Sequence, residues 1–111
     1  LCFSPMTNAT ETRSAAPFRV LIVEDMPETM AWLAGLAAEA FPGCVITEAG
    51  TLARAVELGA EGAFDAAVVD LRLPDGSGLS AVRRLSAQTP PVLCVVTTVM
   101  GDDAHIVTAL S

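Results

Sequence analysis

Four short apolar runs, each followed by a segment with apolar residues at helical spacing, constrain this fold more than any other feature of the sequence. The runs are FRVLIV (18–23), CVITEA (44–49), AAVVDL (66–71) and VLCVVTT (92–98). They are short and largely apolar without polar alternation, which is typical of parallel strands covered on both faces. Strand and helix in regular alternation predict an α/β fold with a parallel sheet and right-handed crossovers.

The segments between the runs carry helix start and stop signals. Pro27 stands at a helix start, where its missing N–H costs nothing, and Pro42-Gly43 ends that helix. Thr51 is a candidate cap for a second helix, and the loop PDGSG (74–78) leads into a third. A fourth helix is predicted after Asp102 from apolar residues at helical spacing, namely Ala104, Ile106, Val107 and Leu110.

The 111 residues suffice for one domain and exclude two full ones. We expect residues 1–17, which are polar and aperiodic, to be a flexible leader that can include vector-derived residues. Residues 18–111 then form the domain.

The charge balance excludes some function classes. Thirteen acidic residues stand against six basic ones, giving a net charge of −7, and all six basic residues are arginine. This acidity argues against a nucleic-acid interface, which needs a basic stripe, and is compatible with a cation site. No run of 18 apolar residues exists, so no membrane span is expected. Three scattered cysteines (Cys2, Cys44 and Cys94) indicate a reducing, cytoplasmic compartment.

Polar side chains follow three of the four predicted strands. Glu24 and Asp25 come after the first, Asp70 ends the third, and Thr97 and Thr98 end the fourth. Ligands bind at the carboxyl ends of strands in an open parallel sheet, so these groups converge on one rim. Three carboxylates at close range repel one another unless a hard cation such as Mg²⁺ or Mn²⁺ joins them. A carboxylate presented beside such an ion can accept a phosphoryl group.

Three motifs give this rim a family resemblance. They are VLIVED (20–25), VVDLRLPDGSG (68–78) and VVTT (95–98). With them the chain resembles a response-regulator receiver domain of two-component signalling, over about residues 18–110. The resemblance implies a flavodoxin-like doubly wound parallel sheet with strand order 2-1-3-4, the fifth strand and fifth helix being missing from this chain.

The resemblance also implies roles for the acidic residues. Asp70 is the phosphoacceptor. Asp25 binds Mg²⁺ (or Mn²⁺) directly, Glu24 binds it directly or through water, and Asp70 and the backbone carbonyl of Arg72 complete the protein ligands.

Three further positions follow from the resemblance. Pro74 and Gly78 form the turn of the phosphorylation loop. The switch hydroxyl, which binds a phosphoryl oxygen, is Thr98 by its spacing of 28 residues from Asp70, with Thr97 as runner-up.

One departure from the family pattern concerns lysine. The family carries a lysine after its fifth strand that pairs with the phosphoryl group, and this sequence has no lysine. Without a fifth strand, the fourth would present an open apolar edge, which favours pairing with another chain. We therefore expect either a fragment of a longer regulator or a homodimer formed through that edge or the fourth helix, with weakened or absent switching.

The function expected from the resemblance is signalling rather than enzymatic. A histidine kinase or a phosphotransfer protein supplies the phosphoryl group, and no direct contact with nucleic acid or membrane is expected. The alternative is a receiver-like interaction or dimerisation module that no longer switches, because the lysine is absent. A haloacid-dehalogenase-like phosphohydrolase would need a second aspartate two residues after the nucleophile, where this chain has Arg72.

Overall fold

A computed structural model describes residues 17–100 and 104–110 of the chain. The elements in chain order are β1 (Arg19–Val23), α1 (Pro27–Ala40), β2 (Val45–Ala49), α2 (Leu52–Glu61), β3 (Ala66–Asp70), β4 (Arg72–Leu73), β5 (Gly76–Ser77), α3 (Leu79–Ser86), β6 (Leu93–Met100) and β7 (Ala104–Leu110). The expected leader lies outside the described residues except for Pro17, and Asp102 also lies outside them.

The main sheet has the order β2-β1-β3-β6-β7. The first four strands in this order pair in parallel, so the predicted parallel sheet and its strand order are confirmed. A separate short antiparallel ribbon joins β4 and β5 within the loop that follows β3.

Strand β1 lies at the centre of the core, because side chains cover both of its faces. On one face Val20 and Ile22 pack with Leu33 of α1. On the other face Leu21 packs in a larger cluster with residues of α2 and α3, including Leu85. Leu21 and Ile22 are both fully buried. Burial on both faces of the sheet thus explains why polar and apolar residues do not alternate in β1.

The helix ends follow local sequence signals. Helix α1 begins at Pro27, as predicted, with Met26 in the N-cap position. Thr51 caps α2, since its Oγ1 accepts a hydrogen bond of 3.1 Å from the amide of Arg54. The capping role predicted for Thr51 is therefore confirmed.

The C-terminal segment corrects two predictions. The expected fourth helix is instead strand β7, which pairs antiparallel with β6 from Cys94↔Leu110 to Met100↔Ala104. The apolar edge expected to be open is therefore paired within the chain. The physical reason is that β6 offers a row of unsatisfied backbone groups, and the β-branched run IVT (106–108) suits a strand as well as a helix. Neither predicted route to a homodimer, an open edge or a fourth helix, is present in residues 17–100 and 104–110.

Candidate functional site

Three carboxylates meet at the carboxyl ends of two adjacent parallel strands. Glu24 and Asp25 follow β1, and Asp70 is the last residue of β3, its neighbour in the sheet. One carboxylate oxygen from each lies within 4.8 Å of the others. Glu24 and Asp70 are 5% and 6% exposed, whereas Asp25 is open to solvent. The predicted convergence of these residues is thus present in the structure.

The three carboxylates of the cluster affect one another electrostatically. The pKa of Glu24 is raised to about 7, chiefly by burial and in addition by the nearby charges of Asp70 and Asp25, while a hydrogen bond from the Met26 amide (3.1 Å) opposes the rise. Desolvation and like charge both disfavour the ionised carboxylate. A divalent cation would reverse both effects, and an all-oxygen donor set suits Mg²⁺ or Mn²⁺.

The carboxylate of Asp70 is oriented by its own loop. The amide of Arg72 donates a hydrogen bond of 3.1 Å to Oδ1 of Asp70. Arg72 is itself held in the ribbon, where it pairs with Ser77. The Arg72 amide therefore lies beside Asp70, whereas the role of the Arg72 carbonyl as a metal ligand stays a prediction.

The loop turns back on Asp70 at the predicted glycine. The Gly78 amide donates to the Leu71 carbonyl at 3.1 Å. A Cβ at position 78 would overlap the carbonyl oxygen of Asp70 and lie 2.8 Å from Cγ1 of Val69. Only glycine fits there, since it lacks that atom. Pro74 lies between β4 and β5, in the turn of the ribbon.

The two threonines of β6 differ in their position relative to Asp70. Thr97 is the Cα partner of Asp70 across the β3–β6 pair, and its side chain is 2% exposed. Thr98 is the next residue toward the carboxyl end of β6, and its backbone pairs with Ile106. Its side chain lies outside the described part of the structure.

Sequence reasoning missed one polar residue of this loop, Asp75. Its two carboxylate oxygens accept hydrogen bonds from the amides of Leu52 (2.8 Å) and Ala53 (2.9 Å), the first two residues of α2. These bonds lower the pKa of Asp75. The position of Asp75 in a Pro-Asp-Gly turn is a local signal, but the contact depends on how the loop meets a helix far along the chain.

Comparison with known proteins identifies the family. Residues 20–111 match the family described as "Response regulator receiver domain". The match covers most of the chain, so the chain belongs to this family.

Individual relatives agree with the assignment. The chain is 35% identical over 66 residues to the DNA-binding transcriptional activator DevR/DosR of Mycobacterium tuberculosis, covering 60% of this chain and 30% of that protein. The chain thus spans less than a third of this curated relative.

Solved structures show the same fold. A mutant of the MaeR response regulator bound to sulfate superposes with a TM-score of 0.66 at 26% identity, covering 78% of this chain and 71% of that one. A CheY-like receiver domain from Methylobacillus flagellatus gives a TM-score of 0.66 at 25% identity, covering 80% of this chain and 75% of that one. MaeR bound to beryllium trifluoride also matches, with a TM-score of 0.66 at 25% identity, covering 77% of this chain and 70% of that one.

Among residues 17–100 and 104–110, no helix has the length and apolar character needed to cross a bilayer.

Proposed function

We propose that Asp70 accepts a phosphoryl group from a histidine kinase or a phosphotransfer protein, with Mg²⁺ held by Glu24, Asp25 and Asp70. The observation that carries this proposal is the meeting of three carboxylate oxygens within 4.8 Å, in a chain of the receiver family. In this role the domain is a signalling module of a two-component system, and its place is the cytoplasm, where Cys44 and Cys94 stay as free thiols.

The transfer requires one nucleophile and one bond exchange. A carboxylate oxygen of Asp70 attacks phosphorus, forming a P–O bond. The P–N bond of a phosphohistidine breaks, or the P–O bond of an acyl phosphate, and the leaving group keeps the electron pair. The product is an aspartyl phosphate. A leaving imidazole is protonated from solvent at the nitrogen that was not bonded to phosphorus or at the one that was, and so departs neutral, whereas a leaving carboxylate departs as its anion and needs no proton.

Each residue of the site has a part in this step. The Arg72 amide fixes the side chain of Asp70 through Oδ1. The carboxylates of Glu24 and Asp25 are proposed as cation ligands, and the carbonyl of Arg72 is proposed as a further one. When bound, Mg²⁺ supplies charge neutralisation for the carboxylates and the incoming phosphoryl oxygens. Thr98 is proposed to bind a phosphoryl oxygen after transfer, with Thr97 as the alternative.

The relatives support the proposal in a limited way. MaeR has been solved with beryllium trifluoride and, as a mutant, with sulfate. Sulfate is tetrahedral, and beryllium trifluoride becomes tetrahedral when an oxygen completes its coordination, so both have the shape of a phosphoryl group. We therefore expect beryllium trifluoride (beryllofluoride) to bind this chain at Asp70 as well. The DNA-binding activity of DevR/DosR is not carried over, because the match covers 30% of that protein.

Intact-mass measurement after incubation with acetyl phosphate tests the proposal. We expect a mass gain of one phosphoryl group that requires Mg²⁺ and is lost in Asp70→Asn. Asp65→Asn is a matched control, because Asp65 lies at the opposite end of β3 and accepts a hydrogen bond from the Arg19 amide. A mass gain that survives Asp70→Asn, or no gain in the wild-type chain, would contradict the proposal.

A further inference from the structure

One side chain in the loop that follows Asp70, that of Asp75, is hydrogen-bonded to the N-terminus of helix α2. Asp75 accepts from the amides of Leu52 and Ala53 at 2.8 and 2.9 Å. Thr51 satisfies the amide of Arg54 at 3.1 Å. The first three amides of α2 are therefore all bonded, two of them by a residue 22 and 23 positions away.

A second contact joins the same two segments. Gly76 has φ of 150° and lies against Leu52, so that a Cβ at position 76 would be 2.9 Å from the Leu52 Cδ2. Leu52 packs in turn on the main core cluster. The loop thus contacts α2 through two adjacent residues. Asp75 makes hydrogen bonds to it, and Gly76 makes an apolar contact with Leu52.

Backbone hydrogen bonds hold the base of this loop. The Arg72 amide donates to Asp70 and the Gly78 amide donates to the Leu71 carbonyl, while the Leu71 amide donates to the Thr97 carbonyl of β6 at 3.1 Å. These bonds fix the part of the loop that lies next to the sheet.

The loop tip is held by two further contacts. Leu73 packs in the main core cluster, and Asp75 makes the long-range hydrogen bonds to α2. A negative charge at a helix N-terminus strengthens the bonds of Asp75.

We propose that Asp75 is a positioning residue for the reaction at Asp70: by clamping the loop tip to the N-terminus of α2, it holds the Arg72 backbone where it orients Asp70 and binds the cation. The inference rests on the proposed function, since it concerns the efficiency of that site. Asp75 has no direct part in the chemistry. Its effect reaches Asp70 through the ribbon β4–β5.

The test compares three variants of the full chain by two measurements. Asp75→Ala removes the clamp, Asp75→Asn keeps its shape and one acceptor oxygen, and Thr51→Ala weakens the same helix end without touching the loop. The measurements are Mg²⁺ binding by calorimetry, and the phosphorylation rate with acetyl phosphate at increasing Mg²⁺.

We expect Asp75→Ala to raise the Mg²⁺ concentration at half-maximal rate by about tenfold, the lower range for loss of a group that orients metal ligands. For Asp75→Asn, the Mg²⁺ concentration at half-maximal rate should lie between those of Asp75→Ala and the wild type. Asp75→Asn also tests the inference by itself if Asp75→Ala does not fold. Thr51→Ala should lower the melting temperature and leave the Mg²⁺ dependence unchanged.

The outcomes separate this inference from the proposed function. If the wild-type chain binds Mg²⁺ and is phosphorylated, but Asp75→Asn and Asp75→Ala keep its Mg²⁺ dependence, Asp75 is merely a helix cap and the inference is wrong. If Thr51→Ala shifts the Mg²⁺ dependence equally, the effect belongs to α2 stability and the inference is again wrong. If the wild-type chain neither binds Mg²⁺ nor is phosphorylated, the proposed function fails, and the inference with it.

Discussion

Gly78 lies against the carbonyl oxygen of Asp70, so closely that any side chain at position 78 would overlap it. Gly78, at the end of the loop, thus allows the backbone to pass close to Asp70, the proposed phosphoacceptor. This contact explains why a glycine stands eight residues after Asp70, and it makes the loop intolerant of even a methyl group.

Gly78→Ala should therefore destabilise the domain and slow phosphorylation of Asp70. The new Cβ must push the Asp70 carbonyl or Val69 away, and such overpacking costs about 1–3 kcal/mol. Urea denaturation and the acetyl phosphate assay measure the two effects. Gly35→Ala is the control, because position 35 in α1 has no atom within 4 Å of an added Cβ, and there alanine should stabilise by up to about 1 kcal/mol. Equal effects of the two substitutions would contradict the close contact.

Alanine at Thr97 and at Thr98 should give different results. We expect Thr98→Ala to keep phosphorylation of Asp70 and to lose the change in β6 amide chemical shifts that follows beryllofluoride binding. Thr97→Ala should mainly lower stability, since Thr97 is buried inside the sheet. If Thr97→Ala alone abolished the chemical-shift change, the switch hydroxyl would be Thr97, the Cα partner of Asp70.

Mg²⁺ affinity should depend on pH because of Glu24. Its pKa of about 7 means that a proton occupies the carboxylate below that pH, and the cation must displace it. We expect the apparent affinity to fall by up to about tenfold for each pH unit below 7. Calorimetry at a series of pH values measures this. Glu24→Gln should bind Mg²⁺ more weakly and lose this dependence, and a variant with the wild-type slope would exclude Glu24 as its source.

The same pKa gives a stability prediction for the metal-free protein. The folded state holds a proton on Glu24 up to about pH 7, whereas the unfolded chain releases it near 4.5. The unfolded state therefore binds fewer protons in this window, and the free energy of unfolding falls as pH rises from 4.5 to 7. Urea denaturation of wild type and Glu24→Gln should show this fall only in the wild type. A flat difference between the two would argue against the raised pKa.

Two leucines of α1 should differ sharply in their contribution to stability. Leu33 is 4% exposed and packs against β1, while Leu36 is 43% exposed on the outer side of the helix. Leu33→Ala should cost about 3 kcal/mol, and Leu36→Ala much less, because alanine is itself a good helix former. Chemical denaturation compares them directly. A similar loss at Leu36 would mean that the outer side of α1 is packed in solution.

The sequence predicted the parallel sheet and the carboxylate cluster because both follow from local pattern and one general rule. The apolar runs indicate the strands, and parallel strands end at one edge, so Glu24, Asp25 and Asp70 had to meet. The family resemblance then supplied their expected roles, which geometry alone does not.

Two features escaped prediction because they depend on contacts distant in sequence. Residues 104–110 fit both helical and extended patterns, and hydrogen bonding to the edge of β6 decides between them. Asp75 looks like an ordinary turn residue, and only the approach of the loop to Leu52 and Ala53 gives it a partner. Local propensity does not include either contact.

The placement of the acidic cluster at the ends of two paired strands has a consequence for biosynthesis. Asp25 and Asp70 are brought together only when β3 has docked beside β1. A nascent chain that has emerged from the ribosome only as far as β2 has no such site, and neither does a misfolded copy. If Asp70 is the phosphoacceptor as proposed, a kinase would find its substrate only in chains in which β3 has paired with β1. On the proposed function, the phosphoryl group would then mark chains that have completed at least the pairing of β1 with β3.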